Sequence, residues 1–450
     1  MKSKLSKLLH PVLGRPVIDW ACDQAFWLGE KIVFVVGHQR EAVEAQLARR
    51  RPQGEIGYAL QAEPRGTGHA VQMALKQLDE WASPETTIFI MGGDAFLLMR
   101  ETAEAFLQQH LARRAHLSLI TTYLKDPAAY GRIVRNSDDK VVGIVEAKDA
   151  TPEQLLIHEI NAGFYLVNYG VLKAALQNLE NNNKAGEFYL TDLVQFCDRQ
   201  NLIVNAVDAK PEECLGINTQ EELAMVAAVL RQRINKFWMS QGVMMEDPQS
   251  TVIESDVRLS TDVKIEPGVF LKGHSRIHSG VKIGAYSVIE DSEVGEESHI
   301  EAYTHLKQAV VGAQCHLGPF ARLRPGSILD EKVHIGNFVE IKKSHLKTGV
   351  KAGHLAYLGD AQIGAQTNIG AGTITCNYDG VRKHETVLGD RVFVGSNTSL
   401  VAPVNVGDGA LIGAGSVITK DVSASSIALE RSEQREISGA AERFLKKSTK

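Results

Sequence analysis

Between Leu259 and Ile418, hydrophobic residues return every six positions. Leu259, Ile265, Leu271, Ile277, Ile283 and Ile289 form one such run. Leu388, Val394, Leu400, Val406, Ile412 and Ile418 form another. Glycine follows many of these aliphatics, as in Ile283-Gly284, Ile335-Gly336, Leu358-Gly359, Ile369-Gly370 and Val394-Gly395. A helix of about 3.6 residues per turn would scatter a six-residue repeat around its whole circumference, and one flat strand needs a period of two. A chain that turns a corner after each short strand, with three sides to a coil, satisfies the pattern. One aliphatic per side then points inward, and small residues ease the corners. The expected architecture is a parallel β-helix of hexapeptide repeats with eighteen residues per coil.

Residues 1 to about 220 follow another rhythm. Compact apolar runs at 31–37, 87–94, 116–122, 141–146 and 163–167 read as strands. Amphipathic stretches at 41–50, 70–81 and 100–113 read as helices. This alternation predicts an α/β domain with a mostly parallel sheet and ligands at strand carboxyl ends, where Asp94 lies. Thr219-Gln220-Glu221-Glu222 caps a helix that carries Leu223, Val226, Leu230 and Ile234 near one face. The expected division is 1–220 for the α/β domain, 221–241 for a linker helix and 242–450 for the β-helix domain with its tail. The six-residue repeat breaks between Thr373 and Val387, at a polar insertion expected on the outside of the coil, and it stops after Val422.

Composition narrows the possibilities. Hydrophobic residues make up 44% and charged residues 23%, as in an ordinary globular protein, and the net charge is −5. The basic tail Lys446-Lys447-Ser448-Thr449-Lys450 reads as a solvated end, so nucleic-acid binding is not expected. The five cysteines, Cys22, Cys197, Cys214, Cys315 and Cys376, include no CxxC pair, which predicts reduced thiols in a cytoplasmic protein. No apolar run is long enough for membrane insertion, and no signal-peptide pattern opens the chain.

Two regions offer chemistry. Arg324 and Lys342 are eighteen residues apart, one coil, so they should stack on one side, where paired cations suit a phosphate. The same stretch holds Glu340, His354, Tyr357, Asn368, Asn377, Tyr378 and Lys383. A histidine such as His354 can take a proton from an amine or hydroxyl. In the N-terminal domain, Asp94 and Asn218 offer a carboxylate and an amide oxygen, which together with substrate phosphate could hold Mg²⁺. The glycine-rich run from Gln61 to His69 could approach a base or sugar.

The motifs Gly318-Pro319-Phe320-Ala321-Arg322-Leu323-Arg324-Pro325-Gly326, Gly336-Asn337-Phe338-Val339-Glu340-Ile341-Lys342-Lys343, 351–360 and 368–380 carry a close resemblance. The chain resembles the bacterial bifunctional N-acetylglucosamine-1-phosphate uridylyltransferase / glucosamine-1-phosphate N-acetyltransferase family over nearly its whole length. The resemblance implies an α/β nucleotidyltransferase-like (Rossmann-like) N-terminal domain, then an all-β left-handed parallel β-helix. It also implies a homotrimer with acetyltransferase sites between neighbouring subunits, and Mg²⁺, acetyl-CoA and UTP as cofactor and co-substrates. By resemblance, His354 is the general base that deprotonates the sugar amine, which attacks the thioester directly. Arg324, Lys342, Tyr357, Asn368 and Lys383 match contacts to glucosamine-1-phosphate. Ala371, Asn377, Tyr378, Ser396, Ala414 and Arg431 match contacts to acetyl-CoA. Lys7, Gln61, Gly66, Thr67, Gly93, Gly131, Glu146, Asn161 and Asn218 match the uridylyltransferase site, with Asp94 and Asn218 as metal ligands.

The chain also departs from that pattern. Members begin with a strand and a glycine-rich loop, Leu-Ala-Ala-Gly-x-Gly-Thr-Arg-Met, whereas this sequence starts at about the motif's closing Met. Ser6 and Phe96 stand where the family carries proline. Without the strand, its neighbours should be left with unpaired edges and open apolar surface, and uridylyl transfer should be poor. An alternative reading is a trimeric β-helix acetyltransferase whose N-terminal domain binds a nucleotide sugar without turning it over.

Overall fold

The computed structural model describes residues 1–50 and 56–445; the basic tail at 446–450 lies outside them. The chain divides into two compact units, Met1–Leu230 and Arg231–Lys450.

In the first unit, a hairpin of β1 (Pro11–Val12) and β2 (Arg15–Pro16) leads into helix α1 (Val17–Ala25). Strands β3 (Ile32–Val36) and β4 (Ile56–Leu60) pair in parallel, with α2 (Arg40–Arg50) between them in sequence. Helix α3 (Thr67–Leu78) starts after Gly66, whose φ is +107° and where a Cβ would meet the Phe188 carbonyl oxygen at 2.4 Å, so only glycine fits. A second sheet contains β5 (Thr87–Ile90), β6 (Leu117–Tyr123), β7 (Arg132–Arg135), β8 (Val141–Val145), β9 (Glu159–Asn168) and β10 (Val204–Asp208).

This second sheet corrects the expectation of a mostly parallel one. Only β6 and β10 run parallel; β9 is antiparallel to β5, β6 and β7, and β7 is antiparallel to β8. The ten-residue β9 lies against β5, β6 and β7 and buries Ile160, Ala162 and Phe164 to Val167. Among the described strands, β3 and β5 each have one partner, and Val33, Val35, Ile88 and Ile90 are only partly buried against the Leu117–Leu119–Val167–Leu193 core.

The helix α8 (Gln220–Ser240, after α4 at Arg100–Ala112, α5 at Pro152–Leu155, α6 at Tyr169–Gln177 and α7 at Asp192–Arg199) opens on a reciprocal cap. The Thr219 hydroxyl accepts from the Glu222 backbone N–H, and the Glu222 carboxylate accepts from the N–H groups of Asn218 and Thr219.

Among the described residues the second unit is a parallel β-helix with three faces of 11, 10 and 9 short strands, which begin at Met244, Val252 and Arg258. Each aliphatic of the two six-residue runs is buried. The repeat extends further than the sequence pattern indicates: Met244–Met245 is already a rung, and Ile427–Ala428 still pairs with Leu411–Ile412. The uniform eighteen-residue coil also needs correction. Lys264 pairs with Lys282 at a separation of 18, but Lys282–His299, His299–His316 and His334–Lys351 are each 17 apart. The missing residue is taken from the corner between the second and third faces. There Asp291, Gln308, Lys343 and Asp360 turn the chain at φ between +45° and +49°. The polar insertion leaves after the strand Ile374–Cys376, which places Cys376 on a face, and returns at Thr386–Leu388.

The corner between the first and second faces carries an exposed stack of rings. Tyr286, Tyr303, Phe320 and Phe338 lie parallel with centroids 5.0–5.4 Å apart, and Leu355 occupies the next coil. The glycines that follow the inward aliphatics hold successive coils close. A Cβ on Gly336 would fall 1.8 Å from the Gly353 carbonyl oxygen, whereas one on Gly353 would meet nothing within 4 Å. Gly336→Ala should therefore lower the melting temperature of the second unit sharply, and Gly353→Ala should leave it within about 0.5 kcal/mol of the parent. Calorimetric melting of the two variants checks this contrast.

Candidate functional site

The first–second corner lines up side chains from successive coils. Asn337, His354, Ala371, Ser396 and Ala414 each immediately precede a positive-φ residue, namely Phe338, Leu355, Gly372, Asn397 and Gly415. Backbone bonds join the coils along this line: Leu355 N to Asn337 O at 3.1 Å, Asn397 N to Ala371 O at 2.7 Å, and Gly415 N to Ser396 O at 2.8 Å. Arg431 reaches the same line by donating from Nη1 to Ala414 O at 3.2 Å.

On this line, His354 Nδ1 lies 2.8 Å from Asn337 Oδ1. An amide oxygen only accepts, so Nδ1 carries the proton and Nε2 is the basic nitrogen. His354 is exposed, so Nε2 is open to a substrate. The strand register pairs Asn337 with His354 and fixes the contact.

The second face holds the cations. Arg322 pairs with Glu340 and Leu323 with Ile341, which carries Arg324 beside Lys342 one coil on. Arg324 Nη1 donates to Glu340 Oε1 at 2.8 Å, and this contact raises the guanidinium pKa. Lys342 is held below the ordinary lysine range, first by the ammonium of Lys383 and further by burial and Arg324, while Asp360 opposes the shift. Tyr357 lies on the same face, in register with Glu340. Asn368 lies apart from these cations, on the first face in register with Lys351.

Lys383 reaches this group through the insertion. Tyr378 and Lys383 form an antiparallel bridge, and His384 N donates to Asn377 O at 2.9 Å, which closes a small hairpin. The Asp379 carboxylate anchors its tip by accepting from the Val381 and Arg382 backbone N–H groups and from His384, and these bonds lower its pKa to about 2. Asn377 is tied to the Asp360 carboxylate. Tyr378 is exposed, and its hydroxyl donates to Gly380 O at 2.6 Å.

In the first unit, the residues expected around a nucleotide fall into three linked groups. Lys7 is ion-paired with Asp94 and donates to Asn218 Oδ1 at 3.3 Å. A carboxylate and an amide oxygen thus face one cation, across 211 residues of sequence. This all-oxygen donor set fits Mg²⁺. Gly93 packs on Leu8 and Ile18 behind them. Burial raises the Tyr130 pKa, a Cβ on its neighbour Gly131 would lie 3.5 Å from a Glu146 carboxylate oxygen, and Gly131 O accepts from Asn161 N at 2.9 Å. Burial raises the Glu146 pKa, while the Thr191 hydroxyl, donating at 3.3 Å, opposes the rise. Asn161 Nδ2 donates to the Tyr165 hydroxyl at 2.6 Å. Next to Thr191, Leu190 N donates to the Thr67 hydroxyl at 3.0 Å, and Gln61 Nε2 donates to Gly66 O at 3.1 Å.

Sequence reasoning did not assign roles to Asn337, Asp360, Tyr130 or Thr191. The first two had a signal in their spacing. Asn337 precedes His354 by one short coil of 17, as Asp360 precedes Asn377. Tyr130 and Thr191 carry no local pattern that marks them.

Comparison with known proteins agrees with this layout. The nucleotidyl transferase family profile matches residues 2–239, and the bacterial transferase hexapeptide (six repeats) profile matches residues 385–420. The bifunctional protein GlmU of Pelobacter propionicus is 42% identical over 450 residues, 100% of this chain and 96% of that one. That of a Thermus thermophilus strain is 46% identical over 446 residues, covering 99% and 96%. That of Trichlorobacter lovleyi is 43% identical over 436 residues, covering 96% and 94%.

The cation cluster can be tested without turnover. Replacing Lys383 by Gln removes the main charge that depresses Lys342, so the Lys342 pKa should rise towards the ordinary lysine value. Following the Lys342 side chain by heteronuclear NMR across alkaline pH reads the shift, which in wild type should also appear on adding a sugar phosphate.

Proposed function

The chain belongs to the family of bifunctional GlmU proteins, and from that premise we propose which of its residues perform each half of UDP-N-acetylglucosamine synthesis. The enzyme couples acetyl transfer from acetyl-CoA to glucosamine-1-phosphate with uridylyl transfer from UTP to N-acetylglucosamine-1-phosphate. We assign uridylyl transfer to residues 1–220 and acetyl transfer to 242–450, with 221–241 as the helix between them.

The observation that carries the acetyltransferase assignment is the His354–Asn337 contact on the same corner line as Ala371, Ser396 and Ala414, with Arg324 and Lys342 on the adjoining face and Lys383 brought to them by the insertion. Arg324, Lys342 and Lys383 bind the sugar phosphate, and Tyr357 and Asn368 flank the sugar. Each charge-assisted bond to the phosphate contributes about 1.5–3 kcal/mol. His354 Nε2 takes a proton from the sugar amine. The freed nitrogen lone pair attacks the thioester carbonyl carbon, the carbon–sulfur bond breaks, and coenzyme A leaves as a thiolate that is then protonated. Asn337 holds the imidazole in the tautomer that can accept the proton, and its amide oxygen still accepts from Nδ1–H in the imidazolium. Ala371, Asn377, Tyr378, Ser396, Ala414 and Arg431 bind acetyl-CoA along the corner.

In the N-terminal domain, Gln61, Gly66 and Thr67 approach the uracil, while Gly131, Glu146 and Asn161 receive the sugar. Lys7 and Gly93 border the phosphates. Asp94 and Asn218 would hold Mg²⁺, which supplies charge neutralisation at the phosphates being exchanged. Lys7 offers its ammonium to the same phosphates once its pairing with Asp94 is relaxed.

Two wider features of the reading are also proposals. A homotrimer is supported by the exposure of His354, Ser396, Ala414 and Arg431 and by the exposed ring stack that ends at Leu355 beside His354. Both are surfaces that a neighbouring copy would cover. A cytoplasmic location is supported by five free cysteines. No helix among the described residues is long and apolar enough to cross a membrane.

His354→Ala should lower kcat for acetyl transfer by about 10²–10⁴-fold with little change in KM. Arg324→Ala should instead raise KM for glucosamine-1-phosphate about tenfold or more. Coenzyme A release with and without the amino sugar phosphate measures both, and equal activity in wild type and His354→Ala would remove the base assignment. Asp94→Asn should lower uridylyl transfer about a hundredfold and leave acetyl transfer intact, as read by pyrophosphate release beside the coenzyme A assay.

A further inference from the structure

The first face of the β-helix carries a row of outward nitrogen-bearing side chains that the two activities do not use. Successive coils place Lys264, Lys282, His299, His316, His334 and Lys351 one above another. Glu301 lies two residues beyond His299 on the same face, on the far side of the inward Ile300. Its Oε1 is 3.2 Å from His316 Nε2 and 3.7 Å from His299 Nδ1. The His299 ring packs edge-on against His316 at 5.0 Å between centroids, and His316 stacks on His334 at 5.2 Å.

We propose that His299, Glu301 and His316 form a binding site for a divalent transition-metal ion of the zinc class. One ligand atom from each residue lies within 4.8 Å of the other two, a spread that small side-chain rotations can contract around an ion. Two imidazole nitrogens and one carboxylate oxygen are a donor set that suits Zn²⁺ or Co²⁺, with water filling the remaining position. Mg²⁺ and Ca²⁺ prefer all-oxygen sets and are disfavoured here.

Other histidines of the same fold sharpen the assignment. His278 with Glu293 and His345 with Asp330 are simple two-member pairs, each at 2.8 Å, on the third face. Among the described residues, only His299, Glu301 and His316 bring three ligating groups together. All three are half-buried, so their orientation is supported by neighbouring rows while the ligand atoms stay open to a hydrated ion. Beside them, a shallow cavity bordered by Glu246, Glu266, Lys264, Lys282 and His299 gives an approach along the face. The backbone holds the set rigid, because Glu301 N bonds Leu317 O at 2.7 Å and His299 N bonds Cys315 O at 2.8 Å.

The test uses the full chain freed of metal by a chelator and titrated with Co²⁺, whose visible absorption reports the ligand set, followed by displacement with Zn²⁺. Wild type should show one imidazole-type Co²⁺ site per chain that Zn²⁺ displaces. His299→Ala and His316→Ala should each abolish it, and Glu301→Gln should weaken it about tenfold or more. The site should persist in His278→Ala and His345→Ala, which remove the isolated pairs, and in Asp94→Asn, which removes the oxygen site of the first unit. Circular dichroism and melting establish that each variant is folded; should His316→Ala fail, His299→Ala and Glu301→Gln decide the matter. An isotherm unchanged in the folded variants, or a site lost equally on replacing His278 or His345, overturns the proposal. The readout requires neither transfer reaction, so its failure leaves the catalytic assignments untouched.

Discussion

The β-helix depends on keeping one aliphatic side chain pointing inward on each face of each coil. Every such residue stabilises the coil by about 1.5–3 kcal/mol. A slip of one residue would turn these side chains out and bring the alternating polar ones in. Register is therefore pinned over the whole length of the domain. The outward positions inherit that register, which makes residues 17 or 18 apart in sequence permanent neighbours. The contacts of His354 with Asn337, 17 apart, and of Arg322 with Glu340, 18 apart, are direct consequences. The His354–Asn337 contact needs no long side chain to search for its partner, so little conformational entropy is lost there when the site is used.

The cation cluster works against stability. Lys342 and Lys383 repel each other, and the lowered Lys342 pKa is the sign of that repulsion. Glu340 and Asp360 offset part of it, and the hairpin anchored by Asp379 keeps Lys383 from swinging away. On the proposed reading a bound phosphate would offset that repulsion, which a neutral sugar would not.

How much of this could be read in the sequence follows from the same physics. The aliphatic ladder was legible because inward burial imposes a period no other element shares. The coil length was only approximately legible, since the shortened corners at Asp291, Gln308, Lys343 and Asp360 leave no mark except the five-residue step after Ile289 and its repeats. Read at 18 alone, the period finds Arg324 with Lys342 but misses Asn337 under His354. In the first unit β3, β5, β6, β8 and part of β9, with α2, α3 and α4, were visible locally; β4, β7, β10, α1, α6 and α7 were not assigned, and strand order was not legible. β9 enters antiparallel to β5 and β6, and nothing in residues 159–168 announces direction. Asp94 and Asn218 were paired by the chemistry of their donor atoms, and Lys7 joined them only through resemblance, because no period connects positions so far apart.

The two halves therefore build sites in different ways. The first unit gathers distant loops onto the ends of a mixed sheet, and each site residue depends on a separate tertiary contact. The β-helix gathers residues by counting, and can be elaborated only where counting is not disturbed. The insertion illustrates this constraint. It departs after Cys376 and returns at Thr386, whose N–H bonds Asp360 O at 3.1 Å, so Ile363 and Leu388 pair as if nothing had been inserted. A loop of the same length within a face would interrupt the inward ladder and open the core to water. At a corner it adds Asn377, Tyr378 and Lys383 without moving a buried side chain. Chemistry accordingly collects at the corners and the outward positions next to them, where the fold permits change and the register still supplies position.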